Sequence, residues 1–72
     1  MPDINDITAE PDDPLFTDRE SARFLGCAVP TFHRWVRLKK VPPPVKLGSL
    51  SRWPRSELSA LIENAKAARY AA

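Results

Sequence analysis

Apolar side chains recur at helical spacing in three stretches of the chain, and this pattern predicts three short helices. The predicted helices cover residues 18–25, 30–39 and 55–68. In the third helix the apolar positions follow the i, i+3, i+4, i+7 spacing of one buried face: Leu58, Leu61, Ile62 and Ala65. The second helix separates an apolar side from a polar side, with Phe32, Trp35 and Val36 opposite His33, Arg34 and Arg37.

Polar and special residues mark where the first two helices begin and end. Thr17 and Glu20 have the spacing of a capping box, in which each side chain bonds to a backbone N–H of the other residue. Gly26 follows the first helix, and glycine readily adopts the positive φ that ends a helix. Pro30 suits the start of the second helix, whose first N–H groups need no partner within the helix. These signals predict a helix-turn-helix.

Between the second and third helices the pattern becomes extended and then alternating. The prolines at 42–44 each fix φ and disfavour helical geometry in the preceding residue. Residues 45–47 and 51–53 alternate apolar and polar side chains on either side of Gly48-Ser49, which has the composition of a tight turn. We expect a two-stranded hairpin, called the wing below, that Pro54 ends.

The predicted fold is mostly α, a winged helix-turn-helix of three helices and a two-stranded wing. Its expected core consists of nine large apolar side chains: Phe24, Leu25, Phe32, Trp35, Leu47, Trp53, Leu58, Leu61 and Ile62. Trp35 and Trp53 are expected in this core and not stacked on a ligand. Cys27 is the single cysteine and is interpreted as a small apolar group in the turn, which leaves no internal disulfide.

The net charge of +2 conceals a strong asymmetry along the chain. Residues 1–20 contain seven acidic residues and one basic residue, whereas residues 21–72 contain ten basic and two acidic residues. Residues 1–14 are interpreted as a disordered acidic arm, residues 15–68 as the folded domain and residues 69–72 as a tail. A basic domain of this size, with cations on a helix-turn-helix, favours binding to the phosphates of double-stranded DNA.

Four segments in order resemble small winged-helix proteins of the excisionase and AlpA-like regulator group, which are similar to the DNA-binding domain of MerR-type regulators. The segments are Leu15–Gly26, Thr31–Val36, Pro43–Gly48 and Arg52–Leu58. Members of this group are phage, plasmid and integrative-element proteins that bind DNA near attachment sites or promoters. The resemblance implies that the second helix enters the major groove and that the wing touches the adjacent minor groove.

Fifteen residues are candidate DNA contacts. The resemblance matches Thr31 and Arg34 to contact positions and Arg52 to a wing arginine. Arg34 suits a bidentate bond to guanine, with a phosphate contact as the alternative, and His33 is either a base contact or a solvated side chain. The candidates on the second helix are Val29, Pro30, Thr31, His33, Arg34 and Arg37. Those expected at phosphates are Arg19, Arg23, Lys39 and Lys40, and those of the wing are Lys46, Ser49, Ser51, Arg52 and Arg55.

The sequence departs from the resembled group at two places. Ala28 stands where the group often has serine as the cap of the second helix, and a missing cap costs roughly 0.5–2 kcal/mol. The wing tip, Ser49-Leu50-Ser51, is less basic than in many relatives. We therefore expect a weaker or more apolar contact with the minor groove.

The expected function is that of an excisionase, a recombination directionality factor that binds cooperatively and bends attachment-site DNA so that an integrase excises it. The alternatives are an AlpA-like transcriptional regulator and, in another class, a protein-interaction adaptor that does not bind DNA. No catalytic constellation, cofactor motif or metal-ligand set is present, so we expect no enzyme. The expected partners are DNA, further copies of the chain and a tyrosine or serine integrase, with the C-terminal helix and tail as the protein contact.

The expected location is the cytoplasm of a bacterium, on the nucleoid, and no membrane or small-molecule substrate is expected. The opposite charges of the two parts of the chain suggest one further hypothesis. The acidic arm competes with DNA phosphates for the basic domain and thereby weakens binding to random DNA.

Overall fold

The computed structural model describes residues 12–70 and confirms the winged helix-turn-helix. In chain order the elements are β1 (Leu15–Phe16), α1 (Asp18–Leu25), α2 (Val29–Arg37), β2 (Val45–Leu47), β3 (Leu50–Pro54) and α3 (Arg55–Ala68). The bounds of α1 and α3 coincide with those predicted from the sequence. None of the helices in this part of the chain is long and apolar enough to cross a membrane.

The turn between α1 and α2 forms as its sequence predicts. The Thr17 hydroxyl accepts a hydrogen bond from the Glu20 N–H at 3.1 Å, and the Glu20 carboxylate accepts one from the Thr17 N–H at 2.9 Å. Gly26 has φ +76°, and the Cys27 N–H donates back to the Ala22 carbonyl at 2.9 Å. Both ends of α1 are therefore satisfied by local bonds, and the direction of the chain into α2 is fixed.

The end of α2 differs from the prediction, because the helix stops at Arg37 and does not reach residue 39. Lys39 adopts a left-handed conformation with φ +64°. Its N–H donates to the Val36 carbonyl at 3.0 Å, and the Lys40 N–H donates to the Trp35 carbonyl at 2.8 Å. This is the bond pattern of a Schellman motif, which normally places glycine where this chain has lysine.

We expect Lys39→Gly to raise the free energy of unfolding by about 1 kcal/mol, because glycine adopts positive φ without the steric cost paid by a side chain. In a domain of this size that gain raises the Tm by roughly 4–8 °C. Thermal unfolding followed by circular dichroism measures it. Lys40→Gly removes the same charge one residue later and is expected to give no such gain; an equal rise in both variants would contradict the explanation.

A three-stranded antiparallel sheet joins the wing to the start of the domain, in the order β1-β3-β2. In the wing, Leu47 pairs with Leu50 across the Gly48-Ser49 turn, and Gly48 has φ +64°. The short strand β1 pairs Phe16 with Trp53 and was not predicted. A strand of two residues is too short to show an alternation of apolar and polar side chains. Its partner strand β3 also lies far along the chain, so no local pattern indicates the pairing.

The core is smaller than predicted and lies where α1, α2, β3 and α3 meet. The fully buried apolar residues are Ala22, Phe32, Val41, Trp53 and Leu58. Of the other predicted members, Leu25, Trp35 and Leu61 pack against this cluster and Ile62 is half-buried. Cys27 also packs against it, as its interpretation as an apolar turn residue predicts.

Two predicted core residues lie on the surface, and two buried apolar residues, Ala22 and Val41, were absent from the predicted core. Phe24 is 38% exposed because it lies to one side of the buried cluster. Its ring meets that of Phe16 edge-on, with the centroids 5.5 Å apart. Leu47 is 48% exposed because the edge strand of the wing extends past the core. Val41 is buried because the Schellman turn directs the chain back under α2, where its N–H meets the Trp35 carbonyl at 3.3 Å.

The start of α3 is capped from a distant part of the chain. The Asp13 carboxylate accepts bonds from the Ser56 N–H and the Ser56 hydroxyl, both at 2.7 Å, and the Pro14 carbonyl accepts the Arg55 N–H at 2.9 Å. Asp13 and Pro14 were assigned to the acidic arm, and in the structure they are bonded to the folded domain. Residues 1–11 of that arm lie outside the described residues.

Asp13 is expected to make the stability of the domain depend on pH. The N–H of Ser56, then its hydroxyl, then the charge of Arg55 lower the pKa of Asp13 below its ordinary value of 3.8. A carboxyl group with a lowered folded pKa stabilises the fold above its ordinary pKa, and this contribution disappears as the pH falls through the folded pKa. Asp13→Ala is therefore expected to have a lower Tm than wild type at pH 6.

The difference in Tm between wild type and Asp13→Ala is expected to shrink below about pH 3.8. Asp12→Ala is the matched control, because Asp12 is an exposed neighbour and makes no hydrogen bond to α3 in the structure. A difference that stays constant down to pH 2 would show that the charge of Asp13 does not carry the effect.

Candidate nucleic-acid interface

The outer side of α2 presents the predicted recognition residues. His33, Arg34 and Arg37 are exposed, as the helical pattern predicted, while Phe32 anchors the opposite side in the core. Near the start of the helix, Pro30 is exposed and Thr31 and Val29 are half-buried, with Val29 packing against the core. The part of α2 that is free to approach a base edge therefore extends from Pro30 to Arg37.

The start of α2 lacks a side-chain cap, as the sequence indicated. Ala28 has the extended conformation of a cap residue, with φ −76° and ψ 154°, but makes no side-chain bond. The free N–H groups and the partial positive charge at this helix end attract anions. The N–H groups of Val29 and Thr31 lie at this end of the helix, whereas Pro30 has no N–H to offer.

A groove of about 350 Å³ separates α2 from the wing. Its walls come from α1, α2, the proline segment and the wing: Asp18, His33, Val36, Pro44, Ser49, Leu50, Ser51, Arg52 and Trp53. The structure therefore brings one predicted recognition residue, His33, together with three predicted wing residues. This shared groove places the wing beside α2, which is the arrangement that the expected contact with adjacent grooves of one duplex requires.

His33 is held by an acidic residue that sequence analysis did not select. Its Nε2 lies 2.9 Å from Oδ2 of Asp18, and Oδ1 of the same carboxylate accepts the Arg19 N–H at 2.7 Å. An ionised carboxylate only accepts hydrogen bonds, so Nε2 carries the proton in this contact. Nδ1 is then the nitrogen of His33 that remains for another partner.

The wing carries its cations on different sides. Lys46 donates to the Ser51 hydroxyl across the two strands at 2.9 Å, and Ser49 lies exposed at the turn. Arg52 is half-buried and donates to the Ser51 carbonyl at 2.9 Å. The pKa of Glu20 is lowered first by hydrogen bonds from Thr17 and then by the nearby charges of Arg52 and Arg23. Arg52 therefore lies close to the first turn of α1.

The remaining predicted phosphate contacts do not form one cluster. Lys39 and Lys40 are exposed just beyond α2, where they continue the positive charge of Arg34 and Arg37. Arg23 instead lines a separate depression with Phe16, Glu20 and Phe24. Arg55 begins α3 beside Asp13, and Arg19 is exposed on α1. The structure groups α2, the Lys39-Lys40 segment and the wing, and it separates Arg23 from the groove.

The cations of the α2 side are free of acidic partners among residues 12–70. The two ion pairs in this part of the chain are His33–Asp18 and Lys66–Glu63. The four cations from Arg34 to Lys40 are therefore available to phosphates, which supply most of the affinity for DNA.

Asp18 and Leu50 are two of the groove residues that were not among the candidate DNA contacts, although Leu50 was named as part of the wing tip. Asp18 lies in the first turn of α1, where its charge already has a local explanation as a favourable interaction with the helix dipole. Its partner His33 is 15 residues away, so no local pattern indicates the pair. For Leu50 a signal was present, since an apolar residue beside a polar turn stands out.

Comparison with known proteins agrees with this geometry. A family model described as a helix-turn-helix domain matches residues 15–66, most of the chain and all of α1, α2 and the wing. Neither the curated proteins nor the solved structures include a significant match. The matched region contains α2 and all the residues that line the groove next to it. The chain therefore belongs to the helix-turn-helix domain family, a family of sequence-specific DNA-binding domains that includes excisionase-like and AlpA-like proteins.

Proposed function

We propose that this protein is an excisionase, a non-enzymatic recombination directionality factor. Several copies bind side by side along attachment-site DNA and bend it, so that an integrase excises the element and does not insert it. The observation that carries the proposal is the single reading surface formed by α2, the wing and the groove between them. One such surface covers a short stretch of duplex, so a long specific site requires neighbouring copies.

The arrangement of the helices, strands and cations supports several copies bound side by side on DNA, and not one isolated dimer. All the helices and strands in residues 12–70 belong to the one helix-turn-helix domain, and none of them forms a separate dimerisation element. The nine residues of α2 are anchored by Phe32, and their outer side carries Arg34 and Arg37, which form no ion pair within residues 12–70. Because bending a site costs on the order of 1–6 kcal/mol, contacts from several copies are needed to offset it.

The decisive experiment is a footprint of the full-length protein at near-physiological salt, on DNA that flanks its own gene and on sequences selected from random DNA. We expect evenly phased protection of adjacent sites that appears cooperatively as protein is added. A single protected site over a promoter would replace the proposal with the AlpA-like regulator. Equal binding to all sequences would remove the sequence preference.

The acidic arm is expected to weaken binding to random DNA. Residues 1–11 carry three acidic side chains, Asp3, Asp6 and Glu10, and these oppose phosphates near the basic domain. A deletion of residues 1–11 keeps the Asp13 cap of α3 and isolates the charge effect. We expect tighter binding to random duplex DNA, measured by fluorescence anisotropy at two salt concentrations.

The matched control for this deletion is the full-length chain with the three acidic residues changed to asparagine or glutamine, which keeps the length of the arm. Both proteins are expected to bind random DNA more tightly than wild type, by a margin that shrinks at high salt because added ions screen the arm. Unchanged affinity in both would show that the arm does not compete with phosphates.

A further inference from the structure

The wing carries an apolar surface that the core does not use. Leu47 and Leu50 face each other across the turn as a pair of opposed residues, and they are 48% and 50% exposed. Val45 lies two residues before Leu47 on the same side of β2 and is 40% exposed. None of the three belongs to the core cluster or packs against it. Contiguous exposed aliphatic groups at the end of a hairpin indicate a contact surface.

The rest of the wing indicates that the partner is DNA. Lys46 and Ser51 lie on the opposite side of the hairpin, joined by their 2.9 Å hydrogen bond. Arg52 pairs with Val45 on the leucine side and lines the groove beside α2 that Leu50 also borders, so each side of the hairpin carries a cation. A tip that combines apolar side chains with adjacent positive charge is complementary to the minor groove, which has phosphate walls and base steps at its floor.

The turn at the tip also suits a close approach to a duplex. Gly48 has no side chain, and Ser49 is small and exposed. The end of the hairpin therefore carries no large side chain, and Leu47 and Leu50, which pair directly behind the turn, are the first large groups. An aliphatic pair in this position matches the wedges by which proteins open a base step and kink DNA.

We propose that Leu47 and Leu50 form a wedge that enters the minor groove next to the recognition helix, partly unstacks one base step and kinks the duplex there. This inference rests on the proposed function, because it supplies the bend that an excisionase requires. Pyrimidine–purine steps unstack most easily, so the wing is expected to select such a step at a fixed distance from the bases contacted by α2.

The test uses the DNA sequence that the full-length protein selects from random duplexes. The fluorescent base 2-aminopurine is placed in turn at each position flanking the recognition-helix contacts, since its emission rises when a base unstacks. Wild type is expected to raise the emission several-fold at one step and to shorten the end-to-end distance of the same duplex labelled at both ends. Leu47→Ser/Leu50→Ser is expected to bind with neither change.

Two further variants separate the wedge from general effects. Leu38→Ser removes a leucine that is 56% exposed beyond α2 and is expected to behave as wild type. The single variant Leu50→Met keeps an apolar side chain at this position and is expected to retain the rise in 2-aminopurine emission. Circular dichroism and Tm confirm that each variant is folded, which the exposure of all three leucines makes the expected result.

The affinity for a mismatched duplex gives a second test, with the mismatch placed at the base step where 2-aminopurine emission rises. Because stacking at a mismatch is already weakened, wild type is expected to bind that duplex roughly tenfold more tightly than the matched one, whereas the double variant shows no preference. Bound wild-type protein with unchanged emission at every step would overturn the wedge. Loss of cooperativity alone in the double variant would also overturn it, by assigning the leucines to a contact between copies. Failure to select any sequence would instead refute the proposed function.

Discussion

Replacing Phe32 with alanine is expected to lower the free energy of unfolding by about 3–5 kcal/mol and to leave the domain largely unfolded at 37 °C. Phe32 is completely buried and meets Trp53 edge-to-face, with ring centroids 4.8 Å apart. A domain of this length has a total stability of roughly 4–11 kcal/mol, so the loss is comparable with the whole. Urea unfolding followed by the fluorescence of the buried tryptophan measures it.

Phe24→Ala is the matched control for this prediction. Phe24 also makes an edge-on aromatic contact, with Phe16 at 5.5 Å, but lies at the surface of α1 beside the core. We expect a clearly smaller loss of stability, because part of the ring is already in water. Equal losses in the two variants would show that the packed centre of the domain is not at Phe32.

Substituting Arg34 with alanine is expected to weaken binding to the selected DNA by about 1–3 kcal/mol, which is between several-fold and more than a hundredfold in Kd. Arg34 is exposed in the middle of α2 and forms no ion pair within residues 12–70. A guanidinium in this position suits a bidentate bond to guanine. The same substitution is therefore expected to relax base preference at one position of the site.

Arg37→Ala and Arg69→Ala are the controls for Arg34. Arg37 is expected to contact a phosphate, so its loss weakens binding to all sequences and reduces the slope of log K against log salt by about 1. Arg69 lies over the Tyr70 ring at 4.8 Å, beyond α3, and its loss is expected to have little effect. Uniform weakening by Arg34→Ala would assign Arg34 to a phosphate. Unchanged binding after charge reversal at both Arg34 and Arg37 would favour the adaptor class.

The parts of the fold that follow from local chemistry could be predicted from the sequence. Thr17, Glu20 and Gly26 determine the two ends of α1 through bonds that span five residues or fewer. Pro54 is the last residue of β3 and the cap residue before α3, and its φ of −63° suits both positions. The Gly48-Ser49 turn likewise sets the register of the hairpin, which pairs Leu47 with Leu50.

The features that were missed depend on contacts between distant residues or on an unusual residue choice. Lys39 ends α2 in a conformation that usually requires glycine, so no sequence signal marked it. The alternation of Val45, Lys46 and Leu47 predicts which side chains share a side of the strand. It does not predict whether another element covers that side, and for this reason Leu47 was wrongly placed in the core.

The candidate interface shows the same division. The exposure of His33, Arg34 and Arg37 follows from helical periodicity and was predicted. The contact of His33 with Asp18 depends on how α1 packs against α2, and the separation of Arg23 from the groove depends on which side of α1 faces the wing. The assignment of individual residues to DNA stays a prediction until the variants described above are measured.

The cap of α3 by Asp13 and Pro14 makes two backbone amides sensitive to whether these two residues are bonded to the helix. The backbone N–H groups of Arg55 and Ser56 would exchange freely with solvent at the start of an uncapped helix, but here each donates to a residue more than 40 positions earlier. Their hydrogen-exchange rates are therefore expected to report local opening of the contact between Asp13-Pro14 and α3, in addition to global unfolding. Amide hydrogen exchange followed by NMR, with and without DNA, measures this directly. Slow exchange at both amides indicates that Asp13 and Pro14 are bonded to α3, and fast exchange indicates that they have separated from it.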